Sequence, residues 1–125
     1  MAFDLGSMAS ASRVAADVSL LAQTASVGTT TLYTTPSAGL YRVSFYLLTT
    51  TAGTAGTCLV TIGWTDDVQA QSSSSVTILM ATLGANIPST LYLRAASGSN
   101  ITYATTLAGA VGSPQYALHL KAERL

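Results

Sequence analysis

Apolar and polar residues alternate with a period of two through most of this chain. That period suits β-strands with one buried face. In Tyr41-Arg42-Val43-Ser44-Phe45-Tyr46-Leu47 the odd positions are Tyr, Val, Phe and Leu. In Cys58-Leu59-Val60-Thr61-Ile62-Gly63-Trp64 the even positions are Cys, Val, Ile and Trp. Val76, Ile78 and Met80 alternate with Thr77, Leu79 and Ala81, and Leu91 and Leu93 with Thr90, Tyr92 and Arg94. Ile101, Tyr103 and Thr105 alternate with Thr102, Ala104 and Thr106. Tyr116, Leu118 and Leu120 alternate with Gln115, Ala117, His119 and Lys121. A further strand is expected around Thr29–Thr34.

Turn chemistry separates these runs. Pro36-Ser37-Ala38-Gly39 precedes the first long strand, and Thr51–Gly56 carries two glycines. Asp66-Asp67 suits a tight turn, and Gly84–Ser89 contains Gly, Asn and Pro. Ala96–Asn100 reads as a hairpin loop in which Gly98 supplies the positive φ. Ala108–Pro114 is a Gly/Pro loop. Ser72–Ser75 fits a solvated strand or a loop equally well. Seven or eight strands at this spacing predict an all-β fold, a jelly-roll-like antiparallel β-sandwich, over residues 29–125.

Residues 1–28 read differently. Met1–Ser12 is small and polar without a period. Val14, Val18 and Leu21 fit a helical stripe, while Val18, Leu20 and Ala22 fit a strand. The favoured reading is an extended N-terminal arm ending in a short edge strand.

Composition then decides which environments such a sandwich suits. Of 125 residues only ten are charged, five of each sign. An average domain of this length carries about thirty. Mean hydropathy is +0.45. A folded chain of this mass has roughly 6,300 Å² of surface, or about 600 Å² for each charge. A free monomer with so few charges and no net charge is expected to associate. Disorder is excluded by the hydropathy, and electrostatic nucleic-acid binding by the lack of a basic patch. No apolar run is long enough for a transmembrane helix. Met1–Gly6 carries Asp4 in place of a basic leader segment, so no secretory signal is expected. The single cysteine, Cys58, excludes an internal disulfide and a cysteine-cluster metal site.

No constellation for catalysis emerges, and neither cofactor nor metal is expected. The only histidine, His119, lies on the polar side of its strand, and no G-x-S-x-G motif occurs. Cys58 shares the apolar side with Val60, Ile62 and Trp64, which suits an inert buried thiol. Asp66 and Asp67 are adjacent, so they point apart in an extended chain and suit turn hydrogen bonds better than paired catalysis. Gly53-Thr54-Ala55-Gly56 lacks the lysine of a phosphate loop. Asn100-Ile101-Thr102 is read as a chance match to the glycosylation triplet.

Trp64, Tyr41, Phe45, Tyr103 and Tyr116 fall on the core-facing sets. Tyr33, Tyr46 and Tyr92 fall off them, and exposed tyrosines anchor protein interfaces or stack on sugars. With so few charges nearby, subunit contact is favoured. The expected interface residues are therefore Val14, Val18 and Leu20 of the arm with Tyr33, Tyr46 and Tyr92. Leu40, Leu48, Leu59 and Leu79 also lie on second strand faces that a lone sandwich would expose.

Gly39-Leu40-Tyr41-Arg42-Val43-Ser44-Phe45 resembles the Gly-x-Tyr-x-hydrophobic-Ser-hydrophobic strand of TNF/C1q-like jelly rolls. Thr31-Leu32-Tyr33-Thr34-Thr35-Pro36, followed by that strand, is similar to small structural proteins of tailed bacteriophages. So is the ending Tyr116-Ala117-Leu118-His119-Leu120-Lys121-Ala122-Glu123-Arg124-Leu125. The resemblance covers residues 29–125 and brings no catalytic motif. It implies a compact jelly roll, commonly a homotrimer, built into a phage particle. The expected role is a capsid decoration (cement) protein bound to the major capsid protein or other virion proteins. The alternative is a tail-fibre or receptor- or carbohydrate-binding head.

Overall fold

A computed structural model describes residues 13–125. The Met1–Ser12 part of the expected arm lies outside the described residues. Nine strands follow one another: β1 Arg13–Gln23, β2 Thr30–Thr34, β3 Gly39–Thr51, β4 Ala55–Thr65, β5 Ala70–Ser74, β6 Ile78–Leu79, β7 Asn86–Ala95, β8 Asn100–Val111 and β9 Gln115–Arg124.

They form two antiparallel sheets. Sheet A has the order β1-β9-β3-β7, and sheet B the order β2-β8-β4-β5, with β6 also on β4. The pairings run inward from the two ends of the chain. β1 pairs with β9, β2 with β8, β3 with β7 and β4 with β5. The chain is thus one long antiparallel ribbon, rolled until β9 meets β3 and β8 meets β4. This is the double-sheet order of a jelly roll. The fold expected from the strand spacing is the fold found.

The period-two pattern explains each layer. Along β3 every second residue from Gly39 to Thr49 is buried. Tyr41, Val43 and Leu47 are fully buried there, facing Cys58, Val60 and Ile62 of β4 and Ile101 and Tyr103 of β8 in one core. Leu118, Leu120 and Ala122 of β9 fill the same layer. Each such Val, Leu or Ile contributes about 1.5–3 kcal/mol by leaving water. Of the five aromatics assigned to the core, Tyr41, Phe45, Tyr103 and Tyr116 are buried, and Trp64 packs half-buried against it.

Val14–Gln23 is a strand and not a helix. β1 lies at the edge of sheet A, with Val18 opposite Leu120 and Leu20 opposite Leu118. Irregularities break its register between Val14 and Ala16 and between Leu20 and Gln23, where Ala22 has φ 52°. Such bulges twist an edge strand away from further pairing.

Three local expectations change, and the open reading of Ser72–Ser75 is decided. The run Val76–Ala81 forms a strand only at Ile78–Leu79, and a turn follows. Ser72–Ser74 belongs to β5, and Ser75 continues the ladder by bonding both backbone groups of Val60. The segment read as a turn at Gly84–Ser89 becomes strand from Asn86, including Pro88. Proline is tolerated because β7 is the outer strand of sheet A. β8 runs on to Val111, which shortens the expected loop before β9.

Candidate functional site: the outer face of sheet A

Residues between the core positions of β1, β9, β3 and β7 share the outer face of sheet A. Register aligns them in rows across the strands. One row is Tyr92, Arg42, Glu123 and Val14; the next is Thr90, Ser44, Lys121 and Asp17; the third is Pro88, Tyr46, His119 and Ser19. Leu40 sits beside Arg94 at one end.

The first row is built around an ion pair. Arg42 Nε donates to Glu123 Oε1 at 2.9 Å and its Nη2 to Oε2 at 2.8 Å. This fork geometry fixes both side chains. The Glu123 carboxylate, and after it Tyr92, holds the guanidinium further above its ordinary value. In the second row Asp17 and Lys121 are directly opposed. In the third, the Ser19 hydroxyl and His119 Nδ1 are 3.0 Å apart. The Tyr46 ring stacks on His119 with centroids 6.4 Å apart and planes 22° from parallel. Asp17, Ser44, Tyr46, His119, Lys121 and Glu123 line an open trough of about 460 Å³ on this face.

Large apolar groups stand on the same face. Tyr92 is 67% exposed, Val14 57%, Leu40 52% and Tyr46 38%. The six expected interface residues therefore separate. Val14, Tyr46 and Tyr92 come together on this outer face. Val18 and Leu20 point inward and pack half-buried against the core of their own chain. Tyr33 packs half-buried against the core with its ring 6.1 Å from that of Tyr41.

Ser19 and His119 are a nucleophile and a base in contact, yet among the described residues no carboxylate orients the ring as a triad requires. Their contact instead clips edge strand β1 to β9. Cys58 is buried, and desolvation pushes its thiol up to about 11, away from the thiolate a nucleophile needs. Asp66 Oδ1 accepts from the backbone N–H of Val68 at 2.7 Å and of Gln69 at 2.8 Å, and Oδ2 accepts from the Gln71 side-chain amide. The bonds from Gln69 and then Val68 hold its carboxyl below the ordinary value. Asp67 pairs with Arg94 at 3.1 Å. The two aspartates thus make a turn. Among the described residues no three His, Cys, Asp or Glu side chains gather as metal ligands. No described helix is long and apolar enough to cross a membrane.

Sequence reasoning did not find the Arg42–Glu123 fork or the Ser19–His119–Tyr46 cluster. Parity placed Arg42, Tyr46 and His119 on second strand faces. Only the pairing of β3 and β1 with β9, some 80 to 100 residues apart in the chain, joins them.

No known family model matches this sequence, and no curated protein matches it. Among solved structures the chain is similar to VP2 of infectious bursal disease virus in its subviral particle. Identity is 13% and the TM-score 0.41, over 91% of this chain and 32% of that one. It is similar also to a structure of infectious bursal disease virus, Gx strain. Identity there is 15% and the TM-score 0.39, over 90% of this chain and 31% of that one. The chain spans about a third of the length of these structures.

Proposed function

We propose that the chain is a non-enzymatic structural protein of a virus particle. In its sharper form it is a decoration protein on the head of a tailed bacteriophage, bound to the assembled lattice of the major capsid protein. The observation that carries this reading is the outer face of sheet A. Tyr92, Tyr46, Leu40 and Val14 are exposed there around the fixed Arg42–Glu123 pair. Tyrosine and arginine are enriched at the anchors of protein interfaces. The charges Arg42, Lys121, Asp17 and Glu123 balance on this face, so it suits a protein partner better than a polyanion.

The mechanism is mass action. A protein that binds only the assembled shell stabilises it by about 2.7 kcal/mol per site when its free concentration is a hundred times Kd.

The test is occupancy on isolated heads. Tyr92→Ala and Tyr46→Ala are expected to lower occupancy at least tenfold, as loss of an interface anchor does. Thr65→Ala on the opposite sheet is expected to leave it unchanged. Full occupancy by both tyrosine variants would overturn this assignment of the face. The trough beside Tyr46 also fits a sugar-binding head. Glycan-array binding abolished by Tyr46→Ala, without binding to heads, would replace the first reading with that one.

A further inference from the structure

The outer face of sheet B has a different chemistry. All nine charged side chains among the described residues lie on the strands of sheet A or in the Asp66–Asp67 turn. None lies on sheet B. Alternation along β4 presents Leu59, Thr61 and Thr65 outward, and along β8 it presents Thr102, Ala104 and Thr106. β5 continues the surface with Ser72 and Ser74, and β2 with Thr31.

An ordinary solvated face carries about 25–35% charged residues and uses them to block association. This face has none. Its chemistry is instead self-complementary, because a hydroxyl both donates and accepts. Thr61 and Ser74 already share a hydroxyl–hydroxyl bond of 2.9 Å on this surface, and Thr34 donates to Asn100 Oδ1 at 2.7 Å. Two copies apposed here would meet no like charges and bury no charge. Small side chains also allow close approach. Gly63 lies at a hollow of about 370 Å³ shared with Thr65, Ala70, Asn100 and Thr102. A Cβ at Gly63 would stand 2.7 Å from Thr102 Oγ1.

The size is adequate. With strands about 4.8 Å apart and about 3.4 Å of rise per residue, the face spans roughly 500–600 Å². Two copies would bury roughly 1,000–1,200 Å², the lower limit for a specific association.

We infer that the outer face of sheet B is the surface on which a second copy of this chain docks, face to face, about a two-fold axis, in place of the homotrimer that the sequence resemblance implies. It leaves the outer face of sheet A free for a different partner. The inference does not rest on the virion reading, and its test uses no capsid.

Sedimentation of the purified full chain over micromolar concentrations tests it. The expected result is a reversible dimer of the 12.8 kDa chain. Thr106→Lys, at an exposed position of the face, is expected to weaken dimerisation at least tenfold. Thr61→Lys is expected to do the same. Thr90→Lys, on the outer face of sheet A, is expected to leave it unchanged. Circular dichroism of each variant establishes that the monomer still folds, and Thr106→Lys remains decisive if Thr61→Lys does not fold. A monomer at all concentrations, a trimer, or a dimer that survives Thr106→Lys would each overturn the inference.

Discussion

Tyr116 of sheet A and Thr105 of sheet B join their hydroxyls at 2.5 Å in the centre of the sandwich. The Tyr116 hydroxyl also donates to Ala25 O at 2.7 Å, and the backbone N–H of Val27 donates to Thr105 Oγ1 at 2.8 Å. The two residues therefore pin the segment that carries the chain from β1 in one sheet to β2 in the other. Tyr116→Phe removes the buried hydroxyl partner of Thr105 and the donor to the Ala25 carbonyl. The expected cost is about 1–3 kcal/mol in denaturant unfolding. Thr105→Val acts on the same network, so the double variant is expected to lose less than the sum. Additive losses would show that the two hydroxyls act independently.

Alkaline pH is expected to weaken the fold through two buried groups. Burial pushes the Cys58 thiol up from 9.0 to about 11, and burial likewise raises Tyr116 above 10.0. A raised folded value means that the unfolded chain loses its proton first. The stability contributed by each neutral group is therefore complete below its unfolded value and is lost as pH rises through the folded one. For Cys58 the window is pH 9 to about 11. Unfolding midpoints measured across that range are expected to fall, and to fall less in Cys58→Ala.

Gly56 opens β4 with φ 126°, where an added Cβ would lie 2.9 Å from Ala110 Cα. Gly56→Ala is expected to destabilise the fold by about 1–3 kcal/mol, through strained backbone and a contact that has no flexible side chain to yield. Gly84 also has a positive φ, 81°, but open space around it. Gly84→Ala is expected to cost less, and equal losses at the two sites in thermal unfolding would contradict the steric part of this account.

β1 is tied to the sandwich more closely than the word arm suggests. It pairs along β9 from Arg13 to Gln23, and Val18 and Leu20 cover the core. A chain that begins at Ala25 bares the whole edge of β9 and uncovers those sites. It is expected to unfold at lower denaturant, by about 1–3 kcal/mol from the two half-buried side chains, and to aggregate through the open edge. A soluble fragment with an unchanged midpoint would show that β1 adds no stability.

The parity of each long strand was legible in the sequence, and with it both faces of sheet A. Tyr41, Val43, Phe45 and Leu47 go in, while Leu40, Arg42, Ser44 and Tyr46 go out. Turn chemistry placed Gly98, whose φ is 72°, and the Asp66 turn. Strand order was not legible residue by residue, because β1–β9 and β2–β8 join the far ends of the chain and local pattern carries no register. The Arg42–Glu123 fork depends on that register. Val76–Ala81 misled because its alternation satisfies a strand, yet only Ile78 and Leu79 pair in strand register, on an edge of β4 that β5 already shares. The expected interface set split for the same reason. Val18 and Leu20 satisfy a docking arm and a core edge strand equally well until β9 is beside them.

The most direct test of the central proposal compares two forms of one partner. Purified full chain is titrated against assembled phage head shells and, separately, against the unassembled major capsid protein. The account predicts saturable binding to shells, lost on Tyr92→Ala, and no binding to free subunits. Equal binding to both forms, or none to shells, would contradict it.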